Sequence, residues 1–380
     1  MSIGLFFENY IHYAGIFPPL IYHLEKNKSE IKELAELMYE DRAFFFDGTG
    51  RSGKVGHRGK RNFGLEGIGK RTHFVNSGFE VKPEKGDVYI QISGSGTRKI
   101  LLENLSIAKQ YEMVTCGITR NLDSGLAKES DIVITLPQSI AGEDEIKKYF
   151  NENMKTVEKP FRELGSVFEV SGLILIDGLS YGMAQYVQNS EFKFSDVKDK
   201  VFNSLEYIGR LQYNLENQKD KIEKIIRTIK ESERNIRVAG FRFTADIGEM
   251  AAMRMNHKIY ENGKREASFI NLSEFPEIKP GDIVIPLSGE GETHVTNWIT
   301  KQFVGLGNKA FPLTYRKKSA LTKLVGEENS IIFPPTKKYK LSKTYEIREY
   351  EIGLMITLDS IALSLERSEQ EMERTHSVFG

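Results

Sequence analysis

The 380-residue sequence has one cysteine, no excess of either charge and no long apolar run. A single thiol, Cys116, excludes an internal disulfide framework and a cysteine-rich zinc site. Lysine plus arginine and aspartate plus glutamate both total 53, so no net charge favours nucleic acid. A membrane helix needs about 18 apolar residues or more, and the N-terminus lacks the pattern of a signal peptide. We therefore expect a cytoplasmic protein that binds neither nucleic acid nor a membrane.

The chain is long enough for two domains, and its first half alternates strand and helix patterns. Residues 1–40 are predicted to be helical, with Pro18-Pro19 separating two helices, and another helix is predicted over 164–188. Ile31, Leu34, Leu37 and Met38 fall on one face of the second helix. The predicted strands are 43–47, 72–76, 87–93, 113–118 and 131–136. This alternation indicates a doubly wound α/β sheet, in which ligands lie beyond the carboxyl ends of the strands.

The second half repeats this pattern after a charged, helical region at 195–235, whose isoleucines we expect in the core. Three segments return in the same order, at offsets of 192, 195 and 182 residues. The first strand and its turn return at 236–240, residues 84–94 return at 280–289, and residues 169–177 return at 351–359. We predict an internal duplication: two tandem doubly wound parallel sheets flanked by helices, in domains 1–190 and 191–380 that pack as a pseudo-dimer.

Two glycine-rich loops follow predicted strands of the first half. Gly48-Thr-Gly-Arg-Ser-Gly53 precedes a basic stretch that suggests an anionic ligand, and Ser93-Gly-Ser-Gly-Thr97 supplies hydroxyl groups and backbone N–H groups. Such loops suit phosphate, although each could also be an ordinary turn, with Thr97 as a helix N-cap. Because both follow strands, they should open on the same edge of the sheet. The predicted phosphate-binding residues are Gly50, Arg51, Ser52, Gly53, Ser93, Gly94, Ser95, Gly96 and Thr97.

These loops resemble those of the sugar isomerase (SIS) domain family, and within it the first repeat is most similar to the 6-phospho-3-hexuloisomerases. Two further segments carry the resemblance, Thr119-Arg-Asn-Leu-Asp-Ser-Gly-Leu-Ala127 and Leu164-Gly-Ser-Val-Phe-Glu169. The resemblance implies phosphosugar binding and sugar isomerisation, often at a subunit interface that borrows a side chain from a neighbour. One departure is Thr97-Arg98, where the family has Glu-Thr. Arg98 could contact phosphate or be a solvated helix residue.

The second repeat departs further from the family pattern. Its first loop has become Gly240-Phe-Arg-Phe-Thr-Ala245, and its serine loop reads Ser288-Gly-Glu-Gly-Glu-Thr293. Glu290 replaces the second serine, and a carboxylate there would repel phosphate. The segment before Glu351 also lacks the glycine-serine helix start. We expect the second repeat to be scaffold, or to lend groups to the first site.

An aldose–ketose or keto–keto isomerisation through an enediol needs a base and a proton donor at the carbonyl oxygen. We predict Glu169 as the base, although it could simply favour the helix dipole. His73 is the predicted partner; His57, His257 and His294 are the other options. No metal or cofactor is expected, and the chain should be a pseudo-dimeric monomer or a homodimer that binds a phosphorylated sugar. A non-catalytic phosphosugar-binding or regulatory protein, and an amino-sugar phosphate deaminase or isomerase, remain alternatives.

Overall fold

The computed structural model describes residues 2–37, 40–64, 67–75, 78–137, 167–259, 265–342 and 346–365. The chain forms two compact units. The N-terminal unit comprises His12–Leu205 and Lys338–Ile347, and the C-terminal unit comprises Met1–Ile11, Glu206–Lys337 and Arg348–Gly380. The predicted domain limits at 190 and 191 mark the boundary between two sequence repeats. The compact units are defined by their packing and each combines several chain segments, so they do not test those limits.

The N-terminal unit contains a five-stranded parallel sheet in the order β2-β1-β3-β4-β5. Its strands are β1 (Ala43–Asp47), β2 (Arg71–Val75), β3 (Val88–Ile92), β4 (Val114–Thr119) and β5 (Ile132–Thr135). The helices between and after them are α4 (Gly50–Phe63), α5 (Lys99–Gln110), α6 (Gly125–Glu129) and α7 (Val167–Asn189). All five predicted strands are confirmed, with ends that differ by at most one residue; Asn76 lies outside the described residues. Three strands have every residue buried or nearly so, as parallel strands covered on both faces require.

Glycines let α4 pack closely on the sheet. A Cβ at Gly59 would lie only 2.4 Å from Cε1 of Phe46, and Gly56 packs on the ring of Phe74 in the same way. Phe46 and Phe74 therefore mark the face of the sheet that α4 covers. Phe45 points to the other face, in a buried cluster with Leu105 of α5.

The helix α7 is long and apolar enough to cross a membrane by length and composition, but 94% of its most apolar stretch is buried within the protein. It contains Glu169, Asp177 and Ser180, and all three are buried. Asp177 accepts two hydrogen bonds from Arg58 of α4. The helix therefore packs as a core helix against α4, and it carries polar side chains that bond to that neighbour.

The N-terminal residues and the region at 195–235 differ in detail from the predicted helices. The first segment forms three helices, α1 (Ser2–Ala14), α2 (Phe17–Lys26) and α3 (Lys28–Leu37). Pro18-Pro19 do not separate two helices but lie in the first turn of α2, where the missing N–H groups have no intrahelical partner to lose. Ile31 and Leu34 are buried as expected, and Met38 lies outside the described residues. The later region forms α8 (Phe194–Glu216) and α9 (Lys219–Glu231), and the four isoleucines of α9 are buried.

The C-terminal unit has a sheet with the same order of strands, β7-β6-β8-β10-β11, in which β9 also pairs with β8. The strands are β6 (Ile236–Gly240), β7 (Ala267–Phe269), β8 (Ile283–Leu287), β9 (Lys309–Ala310), β10 (Leu313–Thr314) and β11 (Ile331–Ile332). Its helices after α9 are α10 (Phe243–Ile259), α11 (His294–Gly305), α12 (Ala320–Val325) and α13 (Tyr350–Leu363). Pro312 separates β9 from β10, because proline cannot donate to the ladder. The short strands β12 (Lys338–Lys340) and β13 (Glu346–Arg348) pair with each other. The structure therefore has the predicted fold of two doubly wound parallel sheets.

Candidate functional site

The turn after β1 is held by a buried carboxylate. Asp47, fully buried, accepts hydrogen bonds from the backbone N–H of Gly48 at 2.7 Å, from the hydroxyl of Tyr89 at 2.5 Å and from Nδ2 of Asn104 at 2.9 Å. Burial raises the pKa of Asp47, and these hydrogen bonds oppose that rise. A Cβ at Gly48 would lie 2.9 Å from the backbone oxygen of Ile92, so the turn lies against the end of β3.

The structure brings Arg51 and Ser52 to Glu169. Ser52 lies in the first turn of α4, and its hydroxyl donates to Oε1 of Glu169 at 3.1 Å. Nη2 of Arg51 lies 3.9 Å from Oε2 of the same carboxylate. Glu169 is 7% exposed and lies in the first turn of α7. A carboxylate, a guanidinium group and a hydroxyl therefore meet at the carboxyl edge of the sheet.

The Ser93–Thr97 loop is built by hydrogen bonds to its own first side chain and to the next strand. Ser93 donates its N–H to Ile118, and its hydroxyl accepts from the N–H of Gly96 at 3.2 Å. Gly96 has φ of +64°, and a Cβ there would lie 2.4 Å from Oγ of Ser124, so only glycine fits. Ser95 and Thr97 are exposed. Thr97 is not the N-cap of α5: that position belongs to Arg98, whose side chain makes no capping bond.

This loop lies next to the first turn of α7. A Cβ at Gly94 would lie 3.3 Å from the ring of Phe168 and 3.6 Å from Nε of Arg120. Because Phe168 immediately precedes Glu169, the loop and the carboxylate belong to the same region. Arg120 follows β4 and was not among the predicted site residues. Its position directly after a strand, at the edge of the sheet where the loops lie, could have identified it as a candidate from the sequence.

The structure does not bring His73 to Glu169. The ring of His73 lies tilted against that of Phe45, with centroids 4.7 Å apart, on the face of the sheet opposite to α4. Burial lowers the pKa of His73, and the charge of Lys60 adds to this effect. His73 also lines a groove of about 490 Å³ at the open edge of β2, together with Arg71, Thr72 and residues near the end of α4. The residues that line the groove include none from the Ser93–Thr97 loop.

The contacts described for the other histidines considered do not include Glu169. His57 stacks on Phe74, with ring centroids 3.7 Å apart. Burial, with the charges of Lys54, Lys60 and Arg61, lowers the pKa of His57 to about 4, so the ring is neutral at pH 7. His257 and His294 lie in the C-terminal unit, where both are exposed.

A buried ion pair connects the two helices that carry the site. Nε and Nη2 of Arg58 donate to the two oxygens of Asp177 at 2.9 and 3.0 Å. Nδ2 of Asn62 donates to the same carboxylate at 2.9 Å and to Ser180 at 3.2 Å. Arg58 belongs to the basic stretch that suggested an anionic ligand. In the structure this arginine binds the carboxylate of Asp177 within the protein. The pair fixes α4, with Ser52, against α7, with Glu169.

The corresponding loop of the C-terminal unit repeats the hydrogen bonds of the first loop at a constant offset of 195 residues. Gly291 donates to Oγ of Ser288 at 3.1 Å and has φ of +69°, as Gly96 and Ser93 do. Thr314 donates to the backbone oxygen of Gly289, as Thr119 does to that of Gly94. Ser319 caps α12 as Ser124 caps α6. The two loops therefore share one backbone design.

The comparisons with known proteins agree with this fold and region. Residues 37–142 match the family model of the SIS domain, so the first half of the chain contains a SIS domain. A 3-hexulose-6-phosphate isomerase from Bacillus subtilis is 27% identical over 155 residues, which cover 40% of this chain and 76% of that protein.

Solved structures of low identity share the fold across nearly the whole chain. The C-terminal domain of a glucosamine-fructose-6-phosphate aminotransferase from Francisella tularensis is 15% identical with a TM-score of 0.60, covering 96% of this chain and 97% of that one. A tagatose-6-phosphate ketose/aldose isomerase from Escherichia coli is 14% identical with a TM-score of 0.57, covering 94% and 91%. These structures cover both sheets of this chain, so the shared feature is a fold that contains two such sheets.

Proposed function

We propose that this protein is a phosphosugar isomerase whose site lies in the N-terminal unit, between the Ser93–Thr97 loop and Glu169. The observation that carries the proposal is the contact of Glu169 with Ser52 and Arg51 at the carboxyl edge of the SIS sheet. The similarity to a 3-hexulose-6-phosphate isomerase suggests a hexulose 6-phosphate as substrate. The cytoplasmic location, the lack of a metal or cofactor, and the oligomeric state stay predictions from the sequence.

In the proposed site the loop holds the phosphate. The exposed hydroxyl groups of Ser95 and Thr97 and the glycine backbone would donate hydrogen bonds to its oxygens. Arg120, beside Gly94, would add a positive charge. The alternative of a plain serine-glycine turn predicts no effect of these side chains on phosphate binding.

The proposed chemistry uses Glu169 as the base. Its carboxylate takes the proton from the carbon next to the carbonyl group, the C–H electrons form the C=C bond, and the carbonyl oxygen becomes the anion of an enediolate. The proton of the neighbouring hydroxyl group passes to that oxygen. The same carboxyl group then returns its proton to the former carbonyl carbon, while the second oxygen becomes the new carbonyl. Arg51 and Ser52, which contact Glu169, would stabilise the negative charge that develops on oxygen. His73 was predicted as the second proton-transfer group, but its ring lies against Phe45 on the other face of the sheet. The stabilisation of the enediolate is therefore assigned to Arg51 and Ser52, without a second proton-transfer residue.

The test is an isomerase assay with hexose, hexulose and hexosamine 6-phosphates. Glu169→Gln should lower kcat by about 10²- to 10⁴-fold, the usual contribution of a general base. The matched control is Glu351→Gln, which changes the corresponding residue of the second repeat and should retain turnover. Full turnover by Glu169→Gln would rule out this carboxylate as the base. Thermal stabilisation of the wild-type protein by phosphosugars, without turnover of any, would favour the non-catalytic binding alternative.

A further inference from the structure

The serine loop of the C-terminal unit contains a carboxylate that is surrounded by cationic and hydroxyl donors. Oε1 of Glu290 accepts from the hydroxyl of Tyr315 at 2.8 Å and from Nη1 of Arg348 at 3.1 Å. Oε2 lies 2.6 Å from Nη2 of Arg316. Arg348 also donates to the hydroxyl oxygen of Tyr315. We call Tyr315, Arg316 and Arg348 the Glu290 clamp.

The position of Glu290 corresponds to that of Ser95 in the first loop. Both residues lie between two glycines that have the same hydrogen bonds in the two units. Tyr315 and Arg316 follow β10 as Arg120 and Asn121 follow β4, again 195 residues apart. The second unit therefore has Tyr315 and Arg316 where the first has Arg120 and Asn121, together with the carboxylate that Arg316 contacts.

The charges around the clamp are close to balance. The hydrogen bond from Tyr315 lowers the pKa of Glu290, and the charges of Arg316 and Arg348 lower it further. Glu351 is the other carboxyl group that acts on Arg348. The charges of Glu290 and Glu351 oppose those of the two guanidinium groups. Removal of Glu290 would take the carboxylate away from all three groups of the Glu290 clamp.

We propose that Glu290 occupies a latent anion site, in which its carboxylate takes the place of a phosphate and the Glu290 clamp supplies the ligands. The equivalence to phosphate rests on the proposed function of the first loop. Guanidinium groups bind carboxylate and phosphate oxygens in the same way, so a tethered carboxylate can satisfy donors that would otherwise bind a free anion. The sequence suggested repulsion of phosphate by Glu290; the contacts indicate occupation of the site instead.

Because Glu290 is part of the chain, its carboxylate competes with a free anion at a high effective concentration. A group held by a short linker has an effective concentration of the order of mM or more. A phosphosugar below that concentration would therefore not displace the carboxylate unless it bound the clamp much more tightly. The wild-type C-terminal unit should not bind phosphate measurably, although its loop has the same backbone as the first loop.

The test is a calorimetric titration of the full chain with inorganic phosphate and with fructose 6-phosphate. We expect one site per chain in the wild-type protein and two in Glu290→Ser. The matched control is Glu292→Ser in the same loop, which removes the same charge. Glu292 is exposed, and it accepts only from the N–H of Ala320 among the bonds described, at 3.1 Å. It should therefore keep one site.

Further variants separate the possible outcomes. Glu290→Gln keeps the size of the side chain and should also open the site, which provides a second variant if Glu290→Ser does not fold. Adding Arg348→Met to Glu290→Ser should abolish the gained site and leave the first one. If the wild-type protein binds none and Glu290→Ser binds one, the function proposed for the first loop fails but this inference stands. An equal stoichiometry in wild type, Glu290→Ser, Glu290→Gln and Glu292→Ser, all folded, would overturn it.

Discussion

Breaking the buried Arg58–Asp177 pair should destabilise the N-terminal unit selectively. The two side chains are 3% and 1% exposed, and removal of one partner from a buried pair usually costs 3–5 kcal/mol, because the other charge remains unpaired. Asn62 would still donate to Asp177, so we expect Arg58→Met to lower the free energy of unfolding by about 3 kcal/mol. Replacing both charges, in Arg58→Met with Asp177→Leu, should restore most of the lost free energy of unfolding. A loss of about 1 kcal/mol should remain, because Asn62 no longer has the carboxylate of Asp177 as its acceptor.

Each unit contains one residue that can report its unfolding in urea. Cys116 is the single thiol, and burial raises its pKa to about 12, so reaction with a thiol reagent follows exposure of the N-terminal unit. Trp298 is the single tryptophan and packs on Phe275 in the C-terminal unit. Arg58→Met should shift the thiol transition to lower urea and leave the fluorescence transition in place.

The control for this prediction is the exposed ion pair of Lys85 and Glu112, whose side chains are 76% and 64% exposed. Lys85→Met should change the stability by less than about 1 kcal/mol, because exposed pairs contribute little. If Arg58→Met shifts the thiol transition no more than Lys85→Met does, the ion pair does not hold α4 to α7 and the reasoning is wrong.

Two further predictions concern α4. Gly59→Ala places a methyl group 2.4 Å from Phe46 and should destabilise the protein by about 1–3 kcal/mol, measured as a lower urea midpoint of Cys116 labelling. The control is Gly209→Ala, in open space on α8 and within the C-terminal unit, which should leave the urea midpoint of the Trp298 fluorescence unchanged or raise it. His57 has a folded-state pKa of about 4, below its usual value of about 6.5. As the pH falls from 6.5 towards 4, the unfolded chain binds a proton at His57 before the folded chain does. The contribution of His57 to the free energy of unfolding is therefore complete above pH 6.5 and is lost as the pH falls towards 4. His57→Phe should therefore reduce the slope of stability against pH in that window by up to about 1.4 kcal/mol per pH unit; an unchanged slope would show that His57 does not titrate as described.

The strands and the repeated pattern could be predicted because they depend on local signals. A buried parallel strand is a short apolar run between turn residues, and 43–47 and 87–93 fit that pattern closely. The repeat was visible because three segments, 236–240, 280–289 and 351–359, return in the order of their counterparts in the first half. The second of them leads into the serine loop, in which Gly291 keeps the positive φ of Gly96. The prediction that Pro18-Pro19 separate two helices was wrong, because the local signal of proline is ambiguous. Proline can end one helix, but it is also favoured in the first turn of the next.

The polar contacts of the site could not be predicted, because they join residues far apart in the sequence. Ser52 and Glu169 are separated by 117 positions, and Arg58 and Asp177 by 119. In the sequence Arg58 is one of several basic residues in a helix, and nothing local distinguishes a buried ion pair from a solvated charge. His73 shows the same limit, since the alternation of a strand gives two faces and only packing decides which one meets the site.

The sequence by itself predicted the two doubly wound sheets that the structure has. It also predicted two glycine-rich loops after strands of the first sheet and a carboxylate, Glu169, as candidates for a phosphosugar site. Only the tertiary structure decided which side chains meet. Ser52 and Arg51 contact Glu169, whereas His73 lies on the opposite face of the sheet. In the second loop, Glu290 contacts Arg316 and Arg348. The physical reason is that strand and turn patterns are set by neighbouring residues. The partner of a buried charge is set instead by the low dielectric and close packing of a folded interior, which bring distant residues together.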